Sequence, residues 1–138
     1  MERKKSMEVQ AWASDTAFKN AYVGAVQAES SLHDEMLDAL FEGDVETIEA
    51  AQRRYEAYKK PAQQALAAHG AAVVNANQAH GEAKQQLLGS PPAPGVTREV
   101  LQEKLSRIDE TLYGALVDAD NAYIGAIGGV QGSSDQAL

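Results

Sequence analysis

The sequence predicts an all-α fold: three long helices running up, down and up again in an elongated, coiled-coil-like antiparallel bundle. Alanine is abundant, whereas the 138 residues hold two Phe and one Trp. That balance suits long helices packed along narrow seams better than a globule built on large side chains. The four prolines stand at 61, 91, 92 and 94, leaving long stretches free of them. No stretch alternates apolar and polar residues between turn signals, as a strand would.

The first helix is expected over about residues 6–42. Phe18, Tyr22, Ala25, Glu29, Leu32, Met36 and Ala39 follow alternating steps of four and three, and Val26, Leu37, Leu40 and Phe41 widen the stripe. Such spacing is that of a helical seam, with Glu29 its one polar member. Gly43 is placed to stop this helix, and Asp44 to cap the next, with Glu46 in its first turn. So short a turn folds the second helix back antiparallel.

The second helix is expected over 44–88, its seam marked by Val45, Ile48, Tyr55, Ala62, Leu66, Val73 and Ala76. Pro61 lies well inside it. An interior proline costs about 3 kcal/mol and kinks a helix rather than always ending it. No turn-forming cluster flanks Pro61, so a kink is expected, with a break into two helices as the alternative.

Residues 89–96, Gly-Ser-Pro-Pro-Ala-Pro-Gly-Val, read as a loop. Thr97 caps the third helix, expected over 97–128. Leu101, Leu105, Ile108, Leu112, Ala115, Ala119, Ala122 and Ala126 give the longest run of four-three spacing in the chain, thickened by Leu116, Tyr123 and Ile127. Residues 129–138 are rich in Gly and Ser and read as a flexible tail. The whole is one helical domain.

Asn20-Ala-Tyr-Val-Gly-Ala-Val26 recurs as Asn121-Ala-Tyr-Ile-Gly-Ala-Ile127. Counted from the turn at Gly43, Gly24 lies 19 residues down the first helix and Pro61 18 down the second. Gly125 falls 17 below the turn on the third, if that helix starts level with the end of the second. The expectation is one packing layer formed by Asn20, Tyr22, Gly24, Pro61, Asn121, Tyr123 and Gly125. Its glycines would make room for the Pro61 backbone or for the rings of Tyr22, Tyr55, Tyr58 and Tyr123. A mid-helix glycine otherwise costs about 0.5–1 kcal/mol relative to alanine.

A net charge of −8 repels phosphate backbones and anionic membrane surfaces, so neither nucleic acid nor membrane is expected as a partner. The apolar stretch from Leu112 to Val130 carries Asp118 and Asp120 near its middle, which argues against a membrane span. The charged start has no apolar run behind it and does not read as a signal peptide, which favours a cytoplasmic or virion-associated location. With no cysteine, disulfides and thiolate chemistry are excluded.

Glu29 and His33 stand one turn apart with Asp34 and Glu35 beside them, but no Glu-x-x-His pair supports a di-metal bundle. These residues read as an exposed polar face, as do Asp109 and Glu110. His69 has no acid at four-residue spacing, and His80 has only Glu82 near it. Phosphate loops and nucleophile elbows are missing. No cofactor, no metal and no catalytic residue is expected. One basic cluster, Arg53, Arg54, Lys59 and Lys60 interleaved with Tyr55 and Tyr58, reads as a solvated stripe or a contact for an acidic partner or a neighbouring copy.

Phe41-Glu42-Gly43, in the turn between the first two helices, resembles the Trp-x-Gly turn of the small secreted helical hairpins of the WXG type. The resemblance is confined to the first two helices. Phe stands for Trp, a third helix follows, and the Tyr-x-x-x-Asp/Glu export signal of those proteins is absent. It implies a secreted or adaptor-type interaction module as the alternative function. From the residues alone, the expectation is a non-enzymatic structural or assembly protein. Its partners would be further copies or other proteins in a larger particle such as a virion or secretion apparatus.

Overall fold

In the computed structural model the chain forms three helices, α1 (Glu2–Glu42), α2 (Val45–Leu88) and α3 (Arg98–Gln136). Backbone is described for residues 2–136 and side chains for residues 4–132. The arrangement is the up-down-up antiparallel bundle that the spacing predicts. At 1.5 Å per residue, α2 is about 66 Å long.

The turn at Gly43 depends on the absence of a side chain. Its N–H donates to the Ala39 carbonyl at 2.8 Å. A Cβ there would sit 2.8 Å from that same oxygen and 3.0 Å from the Thr47 methyl. Asp44 then caps α2, its carboxylate accepting from the Thr47 N–H at 2.8 Å. This bond holds the Asp44 carboxyl below the usual carboxylate range. At the other junction Gly89 donates to the Gln85 carbonyl at 2.7 Å, and Gly95 supplies the one positive φ among the described residues, 89°. Thr97 Oγ1 accepts from the Val100 N–H at 3.2 Å and opens α3.

α2 runs through Pro61 without interruption, so the two-helix alternative does not form. The proline removes one N–H, and the helix continues on the bonds around it. The expected tail is also different in the structure. α3 continues past Gly128 and Gly129 to Gln136, and Val130 lies in the core beside Ile127 and Tyr123. Burial of Val130 outweighs the weak helix propensity of the glycines before it. Residues 137–138 of that expected tail lie outside the described residues.

The larger correction concerns the period of the α3 face. A strict heptad on α3 predicts Ala122 and Ala126 inside, yet both are exposed, while Tyr123, Ile127 and Val130 are buried. The buried and half-buried positions recur every 11 residues instead: Leu101, Leu112 and Tyr123; Leu105, Leu116 and Ile127; Ile108, Ala119 and Val130. On α2 both intervals occur: eleven in Tyr58, His69 and His80, and seven through the expected seam residues Ile48, Tyr55, Ala62 and Ala76, all buried or half-buried. Val45 and Leu66, placed in its seam by the heptad, are exposed. Eleven residues make three turns of 3.67, close to a straight helix, whereas a heptad slips about 20° per repeat unless the helices supercoil to the left. Over three heptads that slip carries Ala122 and Ala126 off the core face.

The register between helices follows from facing pairs. α2 meets α3 at Tyr58 and Gln131, His69 and Asp120, and His80 and Asp109. α1 runs parallel to α3 with Lys4 beside Asp109, Ser14 beside Asp120 and Phe18 beside Tyr123. Extending this register puts the end of α3 level with about residue 30 of α1 and the start of α1 level with about residue 107 of α3. All three helices overlap only in the middle of the rod. The top is an α1–α2 hairpin and the bottom an α2–α3 hairpin.

Candidate functional site

Two polar nodes cross the core, each drawing on all three helices. At the first, Asp120 of α3 is 4% exposed. Its Oδ1 lies 2.7 Å from His69 Nε2 of α2, and its Oδ2 accepts from Ser14 Oγ of α1 at 2.7 Å. The Ala11 carbonyl is also within reach of the Ser14 hydroxyl, at 3.1 Å. One hydroxyl proton cannot serve both acceptors fully, and the shorter bond to the carboxylate takes it. The His69 ring stacks on Phe18, centroids 3.7 Å apart and planes 6° from parallel, with Tyr123 at their edge.

At the second node, Asp109 of α3 binds His80 Nε2 of α2 at 2.7 Å and Lys4 Nζ of α1 at 3.0 Å, with Lys84 Nζ at 3.9 Å. Burial pushes the Asp109 carboxyl up, but the His80 hydrogen bond and the Lys4 and Lys84 ammonium groups outweigh it and hold the group below its usual range. A third rung holds Tyr58, 1% exposed, whose hydroxyl donates to the Ala25 carbonyl at 3.3 Å. Burial raises the pKa of both Tyr58 and Tyr123.

These groups include a serine, a histidine and an aspartate in contact, but in the order Ser–Asp–His. Nucleophilic catalysis by a triad needs imidazole on the serine, to take its proton. Here the carboxylate lies between them and both partners bind to it. What the arrangement does chemically is lock three helices at one height. Among the described residues no group of three His, Asp or Glu could hold a metal ion, and no helix is long and apolar enough to cross a membrane.

Sequence reasoning places Asp109 on a solvated face, leaves His69 without an acid and gives His80 only Glu82, because it looks for partners along one helix. The available signal was the interval: His69 and His80 are 11 apart, as are Asp109 and Asp120. Two antiparallel helices with matched intervals face their pairs to each other.

The expected glycine layer is not what the register produces. α3 starts about one turn beyond the level where α2 ends, since Leu101, not Thr97, shares a groove with Leu88. Gly125 therefore lies about five residues, roughly 7.5 Å, below the level of Gly24. A Cβ on either glycine would meet nothing within 4 Å, so neither makes room for a neighbour. Asn20 and Asn121 are exposed, Tyr22 is exposed, Pro61 is half-buried, and Tyr123 alone of the expected layer is in the core. Within the basic cluster, Arg54 pairs with Glu35 and Lys59 lies 5.4 Å over the Tyr55 ring, while Arg53 and Lys60 are exposed.

α1 carries a second stripe, facing away from the bundle. Val26, Leu37, Leu40 and Phe41, expected to widen the inner seam, are exposed instead, together with Val9, Trp12 and Val23. Trp12 is 76% and Phe41 88% exposed. Val9 and Trp12, Val23 and Val26, Leu37 and Leu40 form three pairs of i, i+3 spacing, repeated every 14 residues. These are the a and d positions of a heptad frame, with Thr16 and Lys19, and Ser30 and His33, filling the alternate repeats. The inner face of α1, Ala11, Phe18, Ala25, Leu32 and Ala39, keeps the same seven-residue period as its outer face. Near the base, Val9 and Trp12 open onto an apolar groove shared with Tyr113 and Leu116 of α3.

Compared with known proteins, the chain matches no family model, no curated protein and no solved structure.

Proposed function

We propose that the chain is a non-enzymatic structural or assembly protein, a small helical subunit of a larger multimeric particle such as a virion or secretion apparatus. The observation that carries this reading is the heptad stripe on the outer face of α1. Large apolar side chains left in water at coiled-coil spacing, over most of a 41-residue helix, favour a covering protein. The thin core points the same way: Tyr58 is the one large side chain described as fully buried. The non-enzymatic part is supported by where the polar groups go, since Asp109 and Asp120 are both occupied in joining helices.

A hairpin interaction module of the WXG type would instead make its contact at the first turn, where Phe41 is exposed. Gradient sedimentation of the tagged chain from its native cells separates the two. Assembly predicts migration with a large particle, lost in Trp12→Glu/Val23→Glu. Migration of the unaltered chain as a small heterodimer, sensitive to Phe41→Glu and indifferent to the double substitution, favours the module and overturns assembly.

A further inference from the structure

We propose that the outer stripe of α1 pairs with the same stripe of a second copy of this chain, antiparallel, about a two-fold axis near residues 24–25. This rests on the assembly reading above and names its first partner.

The stripe is apolar in alternate repeats, so only a few alignments bring apolar pairs together. A two-fold axis between Gly24 and Ala25 sets Val9 against Leu40, Trp12 against Leu37 and Val23 against Val26 of the second copy. Such isologous contact closes on itself as a dimer. Charge decides the direction. In an antiparallel pair the d residue of one helix lies beside the g residue of the other. Lys19, at d, then meets Glu29, at g, and His33, at d, meets Asp15, at g, each contact made twice by symmetry.

A parallel, in-register pair would instead stack Lys19 on Lys19 and His33 on His33. It would also oppose Glu29 to Asp34 across the e and g flanks. The side chains concerned are in place for the antiparallel alternative. Lys19 and His33 are exposed and Glu29 and Asp15 half-buried, Lys19 now bonding Asp15 of its own helix at 2.9 Å. The heptad period completes the case. It winds the stripe slowly around α1, as a left-handed supercoil with a single helix requires.

Trp12 is the only tryptophan, and the chain has no cysteine, so both fluorescence and single-site spin labels report without background. Sedimentation equilibrium should give a dimer, with Trp12 emission shifting to shorter wavelength as concentration rises. Trp12→Glu should be monomeric with an unchanged helical circular-dichroism spectrum, since the side chain it replaces is largely in water. Labels on Ala13→Cys should lie about 35 Å apart along the axis, and labels on Gln27→Cys within about 8 Å along it, before the width of the pair is added. A monomer at all concentrations up to about 1 mM overturns self-pairing, and does so without touching the assembly reading if the native chain still migrates with a large particle. A dimer with short distances at both positions overturns the antiparallel alignment, and a dimer unaffected by Trp12→Glu overturns the surface.

Discussion

Asp120 shows what a single buried carboxylate does in a thin-cored bundle. It binds Ser14 and His69 from two other helices, and its loss would leave His69 without its partner and Ser14 with only the Ala11 carbonyl. An unsatisfied buried donor costs about 1–3 kcal/mol. Asp120→Ala should therefore lower stability by at least that amount in urea denaturation, and more than Asp118→Ala, whose side chain is exposed. Asp109 predicts the acid limb. Its folded-state pKa is depressed, so the stability it confers is present above the unfolded-chain pKa and is lost as pH falls through the folded one. Melting temperature should fall as pH drops below the ordinary aspartate range, and fall less steeply in Asp109→Asn. At the alkaline end Tyr58 and Tyr123 work in the opposite sense, since raised phenol pKa values give stability that disappears as pH rises above about 10.

At the scale of the helix, the decisive quantity is the repeat length. Three helices, the turn at Gly43, the Asp44 cap and the loop after Leu88 are all legible in the sequence, because each rests on local chemistry. The core face was only partly legible. Leu101, Leu105, Ile108 and Leu112 fit seven and eleven equally well; the two frames first differ at Ala115 against Leu116 and separate fully after Ala119. Glutamate substitution tests the distinction directly. Ala126→Glu should leave the melting temperature nearly unchanged, whereas Ala119→Glu, at a site 5% exposed, should destabilise the fold severely by burying an unpaired charge. Equal effects would restore the heptad. The two histidine–aspartate pairs were hidden for a related reason. Their partners lie 51 and 29 residues away, and only the register between helices brings them together.

For the whole molecule, the stagger of the helices sets where stability resides. The rungs at Tyr58, His69 and His80 all fall where three helices overlap, while each end of the rod is a pair of helices with one face uncovered. Hydrogen exchange should be slowest near Tyr58, His69 and Tyr123 and fastest toward Gly43 and the loop at 89–96, with amide protection falling in steps rather than uniformly. Uniform protection along α2 would mean that the ends are as firmly held as the middle. The glycine comparison shows how such a stagger escapes sequence counting. An overhang of one turn at the lower loop was enough to separate Gly24 from Gly125, although their surrounding heptapeptides are nearly identical.

The matched ladder of tyrosine, histidine and aspartate also makes this rod divisible. Eleven residues advance a helix by about 16.5 Å and return its side chains to almost the same azimuth. A cut or graft of that size in α2, balanced by the same change in the facing part of α3, would shorten or extend the molecule by one rung and leave the remaining rungs aligned. A cut of seven in both would break the 11-residue interval on which the rungs recur. The protein thus carries its own ruler, graduated in hendecads where α2 faces α3 and in heptads along α1.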